Sequence, residues 1–380
     1  MKNWTYVIAI IFIIAVSQPM SAQLEFPVIQ SIAVMLYDAD FDLILFEKNG
    51  FQRRSIASLT KIMTMLHVSE LVQAGNLRLN DTVTASANAA SRGGTQIKLR
   101  SGDTFTIEEL LFASALQSAN DAVVALAEHI SGTEQEFSSQ ITNRSRELGL
   151  ENTNFVDSSG LLSIYSGNYS TAFDLARLST HAMNNSLFYQ YVSTKEYFLT
   201  PQDRTIGNTN PLLNKVDGVD GIKTGTTTPA GHVLITSAVR NGRRLIVVVL
   251  GAPSRAIRNR ESEELIEFAF SRLETLIPAG EVATQVRVKN GVTHLIDAVT
   301  AENVSVFFVN DDMRDQVETE VEILETQAPI ERGEKIAELI IHRLGEEIMR
   351  VDLVSNQSTG LASAVRRFWN RLVGYLGWIF

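Results

Sequence analysis

The chain has 380 residues, contains no cysteine, and carries 33 basic and 43 acidic side chains, for a formal net charge of −10. A disulfide framework is therefore excluded, and the acidic balance argues against a nucleic-acid-binding protein. The length is sufficient for two domains with substantial hydrophobic cores.

Residues 1–22 have the pattern of a secretory signal peptide. Lys2 supplies the positive end, Tyr6 to Val16 are almost wholly apolar, and small or polar residues lead to a cleavage site near Ala22. Met20 is larger than a cleavage site prefers, so an uncleaved anchor remains an alternative, although the apolar stretch is short for a membrane span.

The first chemical motif is Ser58-Leu59-Thr60-Lys61, within a helix predicted over residues 56–72. Ser58 and Lys61 are three residues apart and share one helix face. A serine hydroxyl needs a base to become a nucleophile, and a lysine whose pKa is lowered can be that base. Such a motif is expected about once by chance in a chain of this length, so a simple helix cap at Ser58 remains an alternative.

The second motif, Ser118-Ala119-Asn120, lies between two predicted helices. The first opens with a capping box, Thr106 to Glu109, and the second begins near Asp121. Ser118 and Asn120 could direct a hydroxyl and a carboxamide into a cleft. They could equally cap the second helix, and the motif alone does not decide between the two.

The third motif, Lys223-Thr224-Gly225, is predicted on a strand over residues 219–226. Two further strands follow, and Asn241-Gly242 between them indicates a hairpin. An exposed edge of the first strand could bind an extended peptide, and Gly225 would permit a close backbone approach. With early strands at residues 31–37 and 43–46 and a closing helix over residues 261–276, residues 24–278 are predicted to form one α/β domain.

Pro278-Ala279-Gly280 marks a boundary, and a second domain is predicted over residues 280–355. Three segments in it alternate in strand fashion, so this domain should be small and β-rich, and no catalytic constellation is found in it. The alternating segments are 284–288, 304–309 and 316–323. Residues 356–360 are predicted to be a linker.

Residues 360–380 are predicted to form an amphipathic helix that lies in a membrane interface. Because four of the basic residues and none of the acidic ones lie in the two end segments, residues 24–354 contain 29 basic and 43 acidic side chains. An acidic body with a cationic tail favours attachment to an anionic membrane surface through the tail. A helix docked on the protein itself is the alternative. The apolar face of this helix would consist of Leu361, Val365, Phe368, Leu372, Leu376 and Ile379. The three arginines, which would lie largely off that face, are Arg366, Arg367 and Arg371.

The three motifs, in this order, match the set typical of penicillin-binding proteins and serine β-lactamases. Together with Thr153 to Leu161, they make the chain resemble the low-molecular-mass penicillin-binding proteins, which are serine D-alanyl-D-alanine carboxypeptidases, over residues 28–355. The resemblance implies an α/β (α+β) fold. A penicillin-binding-protein/β-lactamase-like transpeptidase domain would be followed by the small β-rich domain and the C-terminal amphipathic helix.

The resemblance also implies roles for individual residues. Ser58 would attack the carbonyl of the penultimate D-alanine of a peptidoglycan stem peptide, and Lys61 would accept the hydroxyl proton. Ser118 would pass a proton to the departing D-alanine, and Asn120 would position the substrate. Residues of the third motif, Lys223, Thr224 and Gly225, would bind the substrate terminus, and the backbone N–H groups of Ser58 and Thr226 would form the oxyanion hole.

Further expectations follow from the same resemblance. β-Lactam antibiotics would be covalent inhibitors, and the enzyme would be periplasmic, on the outer face of the inner membrane. No cofactor and no metal is expected, because the six histidines show no paired ligand spacing. Relatives often have histidine after the third motif, and Thr226 in its place should affect rate or substrate choice.

Three other functions share this fold or these motifs. A β-lactamase would need a deacylating base, and the E-x-x-x-N pattern usual for one does not occur between Asn120 and Lys223. A binding module that had lost activity is disfavoured because all motif residues are intact. A D,D-endopeptidase would have every motif, and the sequence leaves it open.

Overall fold

The computed structural model describes residues 26–161, 167–309, 313 and 316–365. These residues divide into two compact units, one running from Phe26 to Phe270 and the other from Ser271 onward. The predicted signal peptide, residues 1–22, and residues 366–380 of the predicted C-terminal helix lie outside the described residues.

The first unit alternates strands with helices. Its strands are β1 (Ala33–Asp38), β2 (Leu43–Lys48), β3 (Arg54–Ser55), β4 (Thr82–Thr84), β5 (Thr104–Thr106), β6 (Tyr169–Ser170), β7 (Glu196–Leu199), β8 (Arg204–Gly207), β9 (Val219–Thr227), β10 (Gly231–Arg240) and β11 (Arg243–Ala252). Its helices are α1 (Thr60–Gln73), α2 (Ala87–Ala90), α3 (Ile107–Leu116), α4 (Asn120–Ser131), α5 (Glu134–Glu147), α6 (Ala172–Met183), α7 (Ser186–Ser193) and α8 (Arg255–Ser271).

A five-stranded antiparallel sheet in the order β2-β1-β11-β10-β9 forms the framework of this unit. The hairpin predicted at Asn241-Gly242 is confirmed, with Arg240 paired to Arg243 across the turn. Asn241 and Gly242 have φ of 51° and 79°, as a two-residue turn that matches strand twist requires. Strand β9 pairs only with β10 among the described residues, so its other edge is not covered by a strand. Helix α7 contacts this strand.

Helix α1 is the centre of the helical layer. It contacts α3, α4, α5, α6 and α7, and most of its residues from Thr60 to Ser69 are fully buried. A helix surrounded in this way needs apolar residues on nearly every face, which the segment supplies. The capping box at Thr106 is confirmed: its hydroxyl accepts from the Glu109 N–H, and the Glu109 carboxylate accepts from the Thr106 N–H.

The helix predicted over residues 261–276 is displaced in the structure. Helix α8 begins six residues earlier, at Arg255, and ends at Ser271. Residues Leu273–Ile277 instead form strand β12, which pairs with a later strand of the second unit. Ladder hydrogen bonds to a partner distant in sequence thus override the local helical periodicity at its end.

The second unit is β-rich, as the sequence predicted. Its strands are β12 (Leu273–Ile277), β13 (Val282–Arg287), β14 (Leu295–Thr300), β15 (Val304–Phe307), β16 (Val317–Ile323), β17 (Lys335–Arg343) and β18 (Glu346–Ser355). Strands β12 and β15 form one pair, and the others form a sheet in the order β13-β14-β18-β17-β16. Alternate residues such as Val286, Ile296, Ile341 and Leu353 are buried.

The segment after β18 is attached to this second unit. Thr359 is buried and bridges Ile330, and the Ala362 N–H donates to the carbonyl of Asn290 over 2.8 Å. Residues 356–360 are therefore not a free linker, and helical structure begins at Ala364, later than the predicted Gly360. Within the described residues, no helix has the length and apolar character that a membrane span needs.

Candidate active site

Ser58 and Lys61 lie at the start of the central helix. Ala57 to Leu59 form one 3₁₀ turn that leads directly into α1. The Lys61 Nζ donates to the Ser58 Oγ over 3.1 Å. Ala57 has a φ of +47°, a conformation that costs a non-glycine residue about 1–2 kcal/mol, and strain of this kind clusters at functional sites. The predicted proximity of the hydroxyl and the amine is confirmed.

Lys61 is completely buried and held from two further directions. Its Nζ donates to the Asn120 Oδ1 over 2.7 Å and to the Ser159 carbonyl over 2.6 Å. Burial lowers the pKa of Lys61 to about 7, against the opposing effect of the carboxylates Asp157, Asp121 and Glu134. Near neutral pH a large fraction of Lys61 is thus unprotonated, and in that form the Ser58 hydroxyl donates to the Nζ lone pair, as it must when the amine is the base.

The second motif brings Asn120 to this lysine. Asn120 is the first residue of α4. Its side chain binds two partners, because the Oδ1 accepts from the Lys61 Nζ and the Nδ2 donates to the Gly93 carbonyl, each over 2.7 Å. No side chain of the motif caps the helix, so the capping alternative is wrong for Asn120. Ser118 is 8 % exposed, with a φ of +58°, in the tight connection between α3 and α4.

The third motif lies on β9, next to the nucleophile turn. A Cβ added at Gly225 would lie 3.0 Å from the Ser58 backbone nitrogen, so only glycine lets the strand pass this close. Lys223 is buried, and burial together with the cations Lys61 and Arg258 lowers its pKa well below the ordinary value. The Thr224 hydroxyl lies 3.2 Å from the Thr209 hydroxyl. Thr226 is exposed, and its Oγ1 lies 3.0 Å from the His232 Nδ1.

Sequence reasoning missed Arg258, on α8. Arg258 is 5 % exposed, its guanidinium contacts the Asn259 side chain and the Val233 carbonyl, and no carboxylate among the described residues pairs with it. Desolvation and Arg255 lower its pKa to about 10. Because no carboxylate in the described part of the chain forms an ion pair with Arg258 or Lys223, these two buried side chains form a positive field suited to an anionic group. An isolated arginine in a helical sequence gives no signal of this.

In the sequence, the segment Asp157 to Gly160 contributes only to the family resemblance. In the structure, it lies beside Lys61 and the nucleophile turn. The Asp157 carboxylate accepts from the N–H and hydroxyl of Ser159, over 2.7 and 3.1 Å, and this fixes the carbonyl that Lys61 binds. Gly160 has a φ of +77°, and a Cβ there would lie 1.9 Å from the Ala57 carbonyl oxygen. The loop therefore packs against the nucleophile turn only because residue 160 is glycine.

A serine hydrogen-bonded to a buried lysine of lowered pKa, beside a close-packed strand and a second buried cation, is an arrangement typical of acyl-transfer enzymes with a serine nucleophile. Comparison with known proteins identifies the class more narrowly. The D-alanyl-D-alanine carboxypeptidase family (peptidase family S11) matches residues 18–254, and the C-terminal domain family of penicillin-binding protein 5 matches residues 272–360. The chain belongs to the S11 family of serine-type D-alanyl-D-alanine carboxypeptidases.

Individual relatives agree over nearly the whole chain. D-alanyl-D-alanine carboxypeptidase DacF of Bacillus subtilis is 34 % identical over 348 residues, covering 90 % of this chain and 89 % of the relative. DacC of Escherichia coli is 32 % identical over 357 residues, covering 91 % and 88 %. Penicillin binding protein 5 of Haemophilus influenzae has a similar structure, with a TM-score of 0.69, 29 % identity, and coverage of 89 % of this chain and 99 % of that one.

The ampicillin-bound form of penicillin-binding protein D2 from Listeria monocytogenes is also similar, with a TM-score of 0.56 and 29 % identity. The match covers 63 % of this chain and 97 % of the Listeria chain. The predicted family, the transpeptidase-like domain followed by a β-rich domain, and the reaction class are confirmed. The family acts on peptidoglycan and binds β-lactams.

Proposed function

We propose that Ser58 is the nucleophile that removes the terminal D-alanine from peptidoglycan pentapeptides through an acyl-enzyme. The observation that carries this proposal is the 3.1 Å contact between the Ser58 Oγ and a Lys61 whose pKa lies near 7. In the first step Lys61 takes the hydroxyl proton while Ser58 Oγ bonds to the penultimate carbonyl carbon. The scissile C–N bond then breaks, and the leaving D-alanine nitrogen receives a proton relayed through Ser118.

The oxyanion formed in that step is stabilised by the backbone N–H groups of Ser58 and Thr226. The close packing of Gly225 against the Ser58 nitrogen supports this assignment, since it brings β9 to the nucleophile. A donor of this kind contributes about 2.7–4 kcal/mol to transition-state stabilisation. Water then attacks the acyl-enzyme carbonyl, and the stem peptide leaves with Ser58 restored.

Substrate capture is assigned to the free edge of β9 and the cations behind it. Lys223 and Thr224 bind the terminal carboxylate, and Asn120 holds the substrate backbone. Arg258 adds to the positive field, because it is buried without a carboxylate partner among the described residues. A β-lactam offers a reactive carbonyl and a carboxylate in similar positions, so it should acylate the same serine.

Acylation by penicillin tests the nucleophile directly. Intact-protein and peptide mass spectrometry of the incubated enzyme should locate one covalent adduct on the peptide that contains Ser58. Ser58→Ala should give none, and its circular dichroism and melting temperature should match those of the wild type. An adduct on another residue in the wild-type protein would refute the assignment.

A D,D-endopeptidase would use the same residues, so it is the second candidate. Digesting an uncross-linked pentapeptide and a cross-linked muropeptide in parallel distinguishes the two by their products. Free D-alanine from the pentapeptide, with the cross-linked species intact, is the result we expect.

We further infer that residues 1–22 direct the chain out of the cytoplasm, that residues 24–278 carry catalysis, and that residues 280–355 hold the site away from a membrane bound by the C-terminal tail. The signal-like sequence of residues 1–22 and the apolar, arginine-bearing sequence of the tail support this periplasmic, membrane-peripheral location. Fractionating expressing cells, with a periplasmic and a cytoplasmic marker enzyme as controls, tests the location. Recovery with the cytoplasmic marker would contradict it.

A further inference from the structure

Two loops hold Lys61 from opposite sides. On one side the Ser159 carbonyl accepts from the Lys61 Nζ over 2.6 Å. On the other, Asn120 accepts from the same Nζ over 2.7 Å, and the Asn120 Nδ2 donates to the Gly93 carbonyl, also over 2.7 Å. The backbone of the Gly93 loop is bound to Asn120 a second time, because the Asn120 N–H donates to the Thr95 carbonyl over 2.7 Å.

Glu134, the first residue of α5, joins these two loops. One of its carboxylate oxygens accepts from the N–H and the hydroxyl of Ser158, over 3.1 and 2.7 Å. The other forms an ion pair with Arg92, the residue before Gly93. The contacts therefore close a ring, which we call the lysine ring: Lys61, Asn120, Gly93, Arg92, Glu134, Ser158, Ser159 and back to Lys61.

We propose that Glu134 and Arg92 are positioning residues of the active site, which act on Ser58 chemistry by holding the two acceptors of Lys61 in place. The proposal rests on the proposed role of Lys61 as the base. Both side chains are largely withdrawn from water, with exposures of 9 % for Glu134 and 15 % for Arg92, so their charges act at short range with little screening. Neither of them touches the nucleophile or belongs to any of the three motifs.

The ring also affects the pKa of Lys61 through its charges, and this electrostatic effect distinguishes it from a contact that only stabilises the fold. The charged groups around Lys61 are Asp157 on the neighbouring loop, Asp121 on α4, Glu134 on α5 and Lys223 on β9. Removing the Glu134 charge leaves Arg92 unpaired and destabilises the Lys61 ammonium, which lowers the pKa of Lys61. Removing the Arg92 charge leaves Glu134 unpaired and raises it.

Three variants test these opposite signs: Glu134→Gln, Arg92→Gln and the double variant. The matched control is Arg144→Gln, which breaks another ion pair made by α5, because the Arg144 guanidinium on α5 binds the Glu70 carboxylate on α1 over 2.9 and 3.0 Å. The acylation rate with a fluorescent penicillin is measured from pH 5.5 to 9. The Cε resonance of Lys61 is titrated in parallel in ¹³C-lysine-labelled protein, assigned by its loss in Lys61→Arg.

We expect the midpoint of the Lys61 titration to fall in Glu134→Gln, rise in Arg92→Gln, return towards the wild-type value in the double variant, and stay unchanged in Arg144→Gln. Below pH 7 the fraction of neutral Lys61 should rise in Glu134→Gln and fall in Arg92→Gln, and a shift of about half a pKa unit changes that fraction about threefold. The plateau acylation rate at high pH should fall in all three ring variants, because the ring is open in each.

Midpoints that stay at the wild-type value, or that move in the same direction in both single variants, would overturn the proposal. So would a wild-type plateau rate in the double variant. Failure of the wild-type enzyme to acylate at Ser58 would instead contradict the proposed function, and the resonance titration would still test the ring. If Glu134→Gln does not fold, Arg92→Lys is compared with Arg92→Gln. Lysine keeps the charge, so the midpoint should stay near the wild-type value in Arg92→Lys and rise only in Arg92→Gln, and an equal rise in both would overturn the proposal.

Discussion

Gly225→Ala should separate the oxyanion site from the stability of the fold. Gly225 does not have a positive φ, so alanine can adopt its backbone conformation, and the cost is steric. The added Cβ would lie 2.8 Å from the Val233 Cγ2, 3.0 Å from the Ser58 nitrogen and 3.3 Å from the Ala57 Cβ. All three are shorter than the optimum of about 3.5–4.0 Å for carbon contacts, so β9 must move away from the nucleophile turn.

The two consequences of that movement differ in size. Overpacking of this kind costs about 1–3 kcal/mol, which in a domain of this length lowers the melting temperature by about 2–12 °C. Loss of an aligned oxyanion donor lowers the rate about 100- to 1,000-fold. The variant should therefore remain folded at 25 °C while its acylation rate by penicillin falls by at least about 100-fold.

Adding Val233→Ala makes the test sharper. Val233 pairs with Gly225 across the β9–β10 ladder, and truncating it removes the 2.8 Å contact but leaves the 3.0 Å contact with Ser58. Gly225→Ala/Val233→Ala should recover part of the melting temperature without recovering the rate, and Val233→Ala alone should acylate nearly as the wild type does. Stopped-flow acylation and differential scanning calorimetry measure both quantities. Wild-type acylation by Gly225→Ala would refute the reasoning.

Three further tests, with four substitutions and one deletion, address separate parts of the site and the tail. Lys61→Ala should abolish acylation, whereas Lys223→Ala should chiefly raise KM for the peptide and Lys223→Arg should partly restore it, because arginine keeps the charge; wild-type acylation by Lys61→Ala would show that the proton leaves by another route. Arg258→Gln removes part of the positive field, so KM should rise. It also removes a cation that lowers the pKa of Lys223, so the loss of kcat/KM at alkaline pH should move to higher pH. A pH–rate profile without that shift would exclude an electrostatic coupling between Arg258 and Lys223. Deleting residues 366–380, which keeps Ala362 and its contact with Asn290, should release the protein from anionic vesicles in a flotation assay while D-alanine release continues, and equal flotation of both forms would remove the anchor hypothesis.

Sequence reasoning succeeded where the signal is local. Ser58 and Lys61 are one helical turn apart, so their contact follows from helix geometry once the helix is recognised. The Asn241-Gly242 hairpin and the alternating strands of the second unit are likewise encoded by neighbouring residues. The helix end at Ser271 could not be predicted, because strand β12 owes its structure to pairing with β15 about thirty residues later.

By itself, the sequence determined the chemical groups of this protein: three motifs in order, an acidic body, and a helical and then β-rich pattern. Only the tertiary structure decided their properties. Lys61 has a pKa near 7 because packing removes it from water, and its acceptor Ser159 is 98 residues away in the chain. Arg258, Glu134 and Arg92 have no motif, since burial and pairing between distant segments arise only when the chain is folded, and desolvation is a property of the packed environment and not of the residue.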